Sequence, residues 1–185
     1  MSMIAETTEK QEYQTPRTGH DVRNEANITF DAIASNESFA RMAVAAFVSH
    51  LNLTMEELAD IKTAVSEAVT NAIIHGYENF EGYGRYGDRP SLGYAVHPGK
   101  VELRCLLEGG ILHIEVSDTG KGIENIEKAM EPLYTGRPEL ERSGMGFSFM
   151  EAFMDELEVE SEPEVGTTVR MRKKINTGSW IDSGE

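Results

Sequence analysis

A carboxylate and a carboxamide one helical turn apart are the first residues of this chain that could do chemistry. Glu67 and Asn71 lie in the stretch SEAVTNAIIHG, and a spacing of four residues places both on the same side of a helix. Such a pair could hold a hard cation such as Mg²⁺, or the carboxylate could act as a base beside a metal held by the amide. The solvated polar side of an amphipathic helix would show the same two residues, so the pair alone does not establish a site.

The helix that carries this pair is predicted from the apolar periodicity around it. Apolar residues recur at about 100° per residue along one stripe, and neither Glu67 nor Asn71 lies on that stripe. The stripe consists of Leu58, Ile61, Val65, Ala68, Val69, Ala72 and Ile73. Thr54 and Glu57 have the spacing of a capping box, which predicts the start of the helix. Gly76 predicts its end, in the left-handed conformation.

Two glycine-containing segments later in the chain make a site more credible. Asp118 begins the segment DTGKGI directly after an alternating apolar run, and the segment SGMGF occupies residues 143–147. Paired glycines let the main chain pass close to a ligand, and the N-terminus of the helix predicted after the second segment favours phosphate. Either segment alone is most often a plain turn. Their order after Glu67 and Asn71 is the stronger signal.

In this order, the segments resemble the GHKL ATP-binding superfamily of histidine kinases, Hsp90, gyrase B and MutL. Residues 67–76 and 138–147 in particular resemble the anti-sigma F factors, serine kinases that restrain a sporulation sigma factor. The resemblance covers residues 23–174, apart from one insertion. It implies an ATP-dependent serine protein kinase that holds a sigma factor while nucleotide is bound. It further implies that this kinase phosphorylates a serine of an anti-anti-sigma factor.

The same resemblance implies a role for each candidate site residue. Glu67 would take the proton from a serine hydroxyl or orient the nucleophile, and Asn71 would coordinate the Mg²⁺ that bridges the phosphates of ATP. Asp118 would bind the exocyclic amine of adenine, while Gly120 and Gly122 would let the base approach. The other expected ATP-binding residues are Arg142, Gly144, Met145, Gly146 and Thr167.

A second function stays open at this stage. A non-catalytic module could bind ATP as a structural ligand and regulate by partner binding alone. The presence of a glutamate at position 67 favours the kinase, because a pure binding module has no need of a base there.

The first predicted helix carries the expected partner contact. Residues 37–51 are apolar on nearly every side, and Arg41 is their only cation before His50. A helix of this kind is either buried on both sides or uses one side for a partner. The resemblance places homodimerisation and sigma-factor contact in this region and makes Arg41 a partner contact. The alternative is an arginine whose stem merely covers apolar surface.

The strand patterns predict the sheet that positions these residues. Polarity alternates in the segments 27–30, 100–107, 111–118, 156–162 and 167–173. Glutamate at every second position of the fourth segment requires one face of the sheet to be in water. The elements together predict an α+β fold, a two-layer α/β sandwich with helices on one face of a mixed, mostly antiparallel sheet. The resemblance identifies this architecture as the Bergerat ATP-binding fold.

One domain is expected at residues 21–176, because a chain of 185 residues can bury one sizeable core. Residues 1–20 are expected to form a disordered tail, and residues 177–185 a loose one. Residues 79–99 form an inserted loop rich in glycine and tyrosine, either a tolerated surface insertion or a recognition loop for a partner. Residues 122–143 resemble the ATP lid of the family.

The composition limits the classes of partner. A net charge of −15 argues against direct binding to nucleic acid or an anionic membrane and fits a basic protein partner. The sequence has no apolar run approaching the roughly 18 residues of a membrane span and no signal-peptide core, so a cytoplasmic location is expected. Cys105 is the single cysteine, and its place in an alternating strand predicts a buried thiol with no catalytic role.

Overall fold

The computed structural model describes residues 23–77, 99–133 and 144–175. The strands are β1 (Asn24–Asp31), β2 (Lys100–Glu108), β3 (Ile111–Asp118), β4 (Glu156–Glu162) and β5 (Gly166–Lys174). The helices are α1 (Ser35–Phe47), α2 (Met55–Asn71), α3 (Ile126–Met130) and α4 (Gly146–Phe153). The five strands form one sheet in the order β1-β2-β3-β5-β4.

The predicted α+β sandwich is confirmed. Every pairing among the described strands is antiparallel, so the parallel pairs that a mixed sheet would contain do not occur in this part of the chain. The pairs β2–β3 and β4–β5 join consecutive strands. Gly109 and Gly110 turn the first pair with φ of +58° and +78°, a conformation that glycine adopts without steric cost. The predicted hairpin between residues 100 and 118 is therefore correct.

The helices pack on one face of the sheet and enclose the apolar core. Residues on β2 alternate strictly, and Val101, Leu103 and Cys105 are buried on the helix side. The predicted stripe of α2 belongs to the same buried core, although Leu58 at its start is only partly buried. The periodicity therefore identified the correct buried side of the helix that carries Glu67.

The opposite face of the sheet is in water and charged. The four glutamates of β4 are exposed, as the alternation predicted. Arginines on the neighbouring strand balance them: Arg170 contacts Glu160 at 2.6 Å and Glu115 at 2.7 Å, and Arg172 contacts Glu156 at 2.6 Å. Exposed pairs of this kind each add little stability. Their arrangement nevertheless explains how a strand with a glutamate at every second position is accommodated at the edge of the sheet.

Helix α1 differs from its prediction at both ends. It ends at Phe47, before the predicted end at residue 51, and its N-cap is Ala34, with no side chain capping it. The sequence offers Ser35 or Asn36 as the cap, but Asn36 instead donates from its side-chain amide to the carbonyl of Asp31 at 2.8 Å, since that carbonyl lies within reach at the end of β1. The turn between β1 and α1 is thus held by a hydrogen bond to the strand.

Helix α2 begins as predicted and ends differently. Thr54 Oγ1 accepts the N–H of Glu57 at 3.1 Å, and Glu57 Oε2 accepts the N–H of Thr54 at 2.8 Å, which completes the capping box. After Asn71, the helix widens into a π-helical turn, Ala72–Gly76. Gly76 does not adopt the left-handed conformation, so that prediction is wrong. Glycine is required there because a Cβ would lie 2.8 Å from Asp118 Oδ1.

The buried cysteine leads to a simple prediction. Cys105 is 2% exposed, and burial raises the pKa of its thiol to about 12. Since the thiolate is the reactive form, we expect no labelling of the folded protein by an aromatic disulfide reagent, but complete labelling in denaturant. Measurable labelling of the folded chain at neutral pH would contradict the predicted core position.

Several sequence predictions concern residues outside the described ranges. They are both tails, nearly all of the inserted loop at 79–99, and the second part of the predicted lid with Arg142. The described ranges contain no helix with the length and apolar character needed to cross a membrane.

Candidate functional site

A cavity of about 360 Å³ opens between α2, the π-helical turn, β3, β5 and the start of α4. Its wall combines apolar side chains with few polar groups, which is the usual make-up of a small-molecule site. The apolar contribution comes from Ala68, Ala72, Val116, Ile123, Ala129, Met145, Phe147 and Val169. The polar and charged residues are Glu67, Asn71, His75, Asp118, Lys121 and Thr167.

Glu67 and Asn71 meet the start of α4 in this cavity. A Cβ on Gly146 would lie 3.0 Å from Glu67 Oε2 and 3.4 Å from Asn71 Nδ2. Glycine at position 146 therefore lets the two helices approach closely. The side chain of the N-cap residue Met145 makes no capping hydrogen bond to α4. The first N–H groups of a helix have no partner within the helix and favour an anion. A carboxylate, an amide oxygen and a helix N-terminus, the end of a helix that favours anions, converge here.

Asp118 lies in a second part of the cavity, at the end of β3. Its carboxylate is 8% exposed, and Oδ1 accepts the N–H of Gly120 at 2.9 Å. The register of β3 and β5 places Asp118 opposite Thr167, whose main-chain N–H also donates to the carboxylate. Burial outweighs these two hydrogen bonds and raises the pKa of Asp118 to about 6. The carboxylate is therefore a fixed acceptor in the wall of the cavity.

The raised pKa of Asp118 predicts a pH-dependent stability. The ordinary pKa of the carboxyl is 3.8, and its pKa in the folded protein is about 6. Between these two pH values the folded state therefore binds more protons than the unfolded state. The resulting stabilisation is complete below the ordinary value and is lost as pH rises through the folded one. Relative to Asp118→Asn, which does not titrate, the wild-type free energy of unfolding should fall by about 3 kcal/mol between about pH 3 and about pH 8. Urea denaturation over this pH range measures the free energy of unfolding of both proteins. If the two free energies changed with pH in parallel, Asp118 would not be a buried carboxylate with a raised pKa.

The floor beside Asp118 is made of main chain. Gly120 packs against Gly76 so closely that a Cβ on it would lie 2.1 Å from the Gly76 carbonyl oxygen. The same oxygen accepts the N–H of Lys121 at 2.8 Å. Gly120 itself does not line the cavity. The immediate reason for glycine at 120 is thus contact between two main-chain segments, where the sequence had predicted room for a base.

The structure brings most of the predicted site residues together. Those that line the cavity are Glu67, Asn71, Asp118, Gly122, Gly144, Met145, Gly146 and Thr167. Gly120 lies behind the wall, and Arg142 lies outside the described residues. Arg41 is on α1 and does not line the cavity; it pairs with Glu37 at 3.4 Å and remains 39% exposed.

Sequence reasoning missed Tyr77, which holds the π-helical turn in place. The ring is buried, and its hydroxyl donates to the Lys100 carbonyl and accepts the N–H of Thr119 at 2.9 Å. It thereby joins the end of the helix to the start of β2 and to the loop after Asp118. Its position directly after Gly76, at the predicted helix end, was the one available signal. His75 and Lys121, which line the cavity, were also not predicted as site residues.

The donor set fits a magnesium ion shared with a phosphate better than a metal held by protein alone. Among the described residues, no group of three or more His, Cys, Asp or Glu side chains is placed to hold a metal. Asn71 offers one amide oxygen beside the N-terminus of α4. Mg²⁺ keeps water and phosphate oxygens in its shell, so one protein oxygen suffices at such a site.

Comparisons with known proteins agree with this geometry. Residues 31–173 match the family described as histidine kinase-like ATPase domain. The chain is 54% identical over 153 residues to an anti-sigma F factor of Clostridium botulinum (strain Eklund 17B / Type B), an alignment that covers 83% of this chain and 96% of that protein. It is 49% identical over 155 residues to the anti-sigma F factor of Bacillus licheniformis (strain ATCC 14580), with 84% and 95% covered.

A solved structure shares the fold. The RsbU and RsbW domains of a Mycobacterium tuberculosis protein superpose with a TM-score of 0.55 at 21% identity, over 82% of this chain and 32% of that one. At this identity, the likeness concerns the fold alone. The alignments with the two anti-sigma F factors cover most of both chains, and the family match at residues 31–173 includes every residue that lines the cavity. The chain therefore belongs to the anti-sigma F factor family, within the histidine kinase-like ATPases of the GHKL superfamily.

Proposed function

We propose that this protein is an ATP-dependent serine protein kinase that also acts as an anti-sigma factor. With ATP or ADP bound, it holds a sporulation sigma factor, and it phosphorylates a serine of an anti-anti-sigma factor. It works as a homodimer in the cytoplasm. The name of the family, anti-sigma F factor, supports the sigma-factor partner. The arrangement of residues in the cavity supports the kinase reaction.

The observation that carries the kinase proposal is the meeting of Glu67, Asn71 and the N-terminus of α4 in one cavity. Glu67 Oε2 accepts the proton of the incoming serine hydroxyl. The serine oxygen forms a bond to the γ-phosphorus as the bond from phosphorus to the ADP oxygen breaks. The N–H groups of α4 donate to phosphate oxygens and hold them in place. Mg²⁺, when bound, neutralises phosphate charge, and Asn71 is the residue that would hold it.

The other part of the cavity fits an adenine. The Asp118 carboxylate accepts a hydrogen bond from the exocyclic amine, and hydrogen bonds from the main chain of Gly120 and Thr167 already fix that carboxylate. Val116 and Val169 line the same region and exclude water from the ring. The ionised carboxylate can accept a hydrogen bond from the amine and keep its hydrogen bonds from the main chain of Gly120 and Thr167. Protonation removes this acceptor capacity. Adenine binding should therefore weaken as pH falls below the pKa of Asp118.

The partner surface is proposed on α1. Phe39 and Met42 are 49% and 58% exposed, and Ile33 in the preceding turn is 40% exposed. Arg41 lies on the same helix and keeps part of its guanidinium in solvent. An apolar patch beside a partly free arginine is the type of surface that protein partners use as an anchor.

The direct test is transfer of the labelled γ-phosphate from Mg-ATP to a cognate anti-anti-sigma protein. We expect the label on a serine of that protein, and we expect complex formation with the sigma factor to require nucleotide. The matched substrate control replaces the acceptor serine with alanine. Tight binding of ATP without any transfer would refute the kinase and leave a non-catalytic module that regulates by partner binding.

A further inference from the structure

Lys121 occupies a distinctive position in the cavity wall. Among the described residues that line the cavity, it is the only lysine or arginine. Its side chain makes no ion pair with any residue in the described ranges. It is half-buried, so its charge faces a medium less polar than bulk water.

The charges around the cavity make this ammonium important. Glu67 and Asp118 both line it, and the whole chain carries a net charge of −15. A nucleotide phosphate entering this cavity meets two carboxylates in a field that is already negative. The dipole of α4 offsets a part of this repulsion at one point only. Lys121 is the full positive charge that the described wall supplies.

The main chain of Lys121 is fixed on both sides. Its N–H donates to the Gly76 carbonyl at 2.8 Å, and its carbonyl accepts the N–H of Glu164 at 2.9 Å. The Cα therefore has a defined place between the end of the π-helical turn and the β4–β5 hairpin. The side chain of Lys121 therefore extends from a fixed point in the cavity wall.

We propose that the Lys121 ammonium is a nucleotide-binding group that compensates the charge of the phosphates. This inference rests on the proposed nucleotide-binding function and adds a residue to it. The Lys121 ammonium attracts the negative charge of the phosphates, whereas the adenine is bound by Asp118. The size of the effect therefore depends on whether the ligand carries phosphate.

The test compares ADP with adenosine by calorimetry and by competition, in the presence of Mg²⁺. We expect Lys121→Met to weaken ADP binding about tenfold and to leave adenosine binding unchanged, because adenosine carries no phosphate. Lys121→Arg should restore ADP affinity, since it keeps the charge. Added salt should reduce the difference in ADP affinity between the wild type and Lys121→Met, because salt screens the attraction between charges.

Lys174→Met is the matched control, because it removes the same charge from an exposed residue on β5 that does not line the cavity. It should leave ADP affinity unchanged. Equal losses for ADP and adenosine in Lys121→Met, an unchanged ADP affinity, or failure of arginine to restore it would each overturn the inference while leaving the kinase proposal intact. A wild-type protein that bound no ADP would overturn both.

Discussion

Replacing Glu67 with glutamine should lower the rate of phosphoryl transfer about 10³-fold and leave ATP affinity within about twofold of wild type. The amide has nearly the shape of the carboxylate, so it preserves the close approach to Gly146, where a Cβ would lie 3.0 Å from Oε2. It cannot accept the proton of the serine hydroxyl. The loss should therefore appear in the catalytic rate constant, with the Michaelis constant for ATP nearly unchanged.

The measurement is single-turnover transfer of labelled phosphate, with ATP affinity determined separately by calorimetry. Glu56→Gln provides the matched control, because it makes the same chemical change at an exposed residue in the first turn of the same helix. Transfer at the wild-type rate in Glu67→Gln would exclude Glu67 as the base. A parallel loss of ATP affinity would show that the carboxylate serves binding instead.

Gly120→Ala should destabilise the fold by about 3 kcal/mol and abolish nucleotide binding. The added Cβ would lie 2.1 Å from the Gly76 carbonyl oxygen and 2.4 Å from its carbon, distances that no real structure tolerates. Relief requires the loop after β3 to separate from the π-helical turn. This movement breaks the bond from Lys121 N–H to Gly76 and disturbs the bond from Gly120 N–H to Asp118.

Gly109→Ala is the control that separates steric contact from backbone preference. Gly109 has a φ of +58°, and nothing lies within 4 Å of an added Cβ. Its replacement should cost about 1 kcal/mol, from the left-handed conformation alone. Urea denaturation gives both free energies of unfolding. Similar values for the two variants would mean that the main-chain contact at Gly120 yields easily and does not define the cavity.

The sequence was sufficient for features that are local or periodic. The stripe of α2, its capping box and the β2–β3 hairpin follow from the spacing of a few neighbouring residues, and the structure confirms each of them. The pairing of Glu67 with Asn71 is likewise a matter of helical spacing. Placing Asp118 in the same cavity depended on the resemblance to a family, because no local rule joins the end of α2 to the end of β3.

Features that depend on contact between distant segments were not predictable from the sequence. The π-helical turn has no local signature, and it exists where Tyr77 fastens the helix end to Lys100 and Thr119. Gly76 was read as a helix terminator because that is the commonest reason for glycine at such a place. Its actual reason, the carboxylate of Asp118, lies 42 residues further along the chain and becomes visible only in three dimensions.

The contact between Gly76 and Gly120 also bears on how this cavity can be targeted. Resistance to an inhibitor usually arises when a side chain that contacts the inhibitor, but is not needed for function, is replaced. A compound that takes its affinity from the half-buried side chains of Ile123 and Ala129 would contact atoms that a substitution can remove. The region around Gly76 and Gly120 consists of main-chain atoms in close contact, where even one added methyl group is too large. A compound that contacts the Gly76 main chain and Asp118, both of which line the cavity, would leave few viable escape mutations.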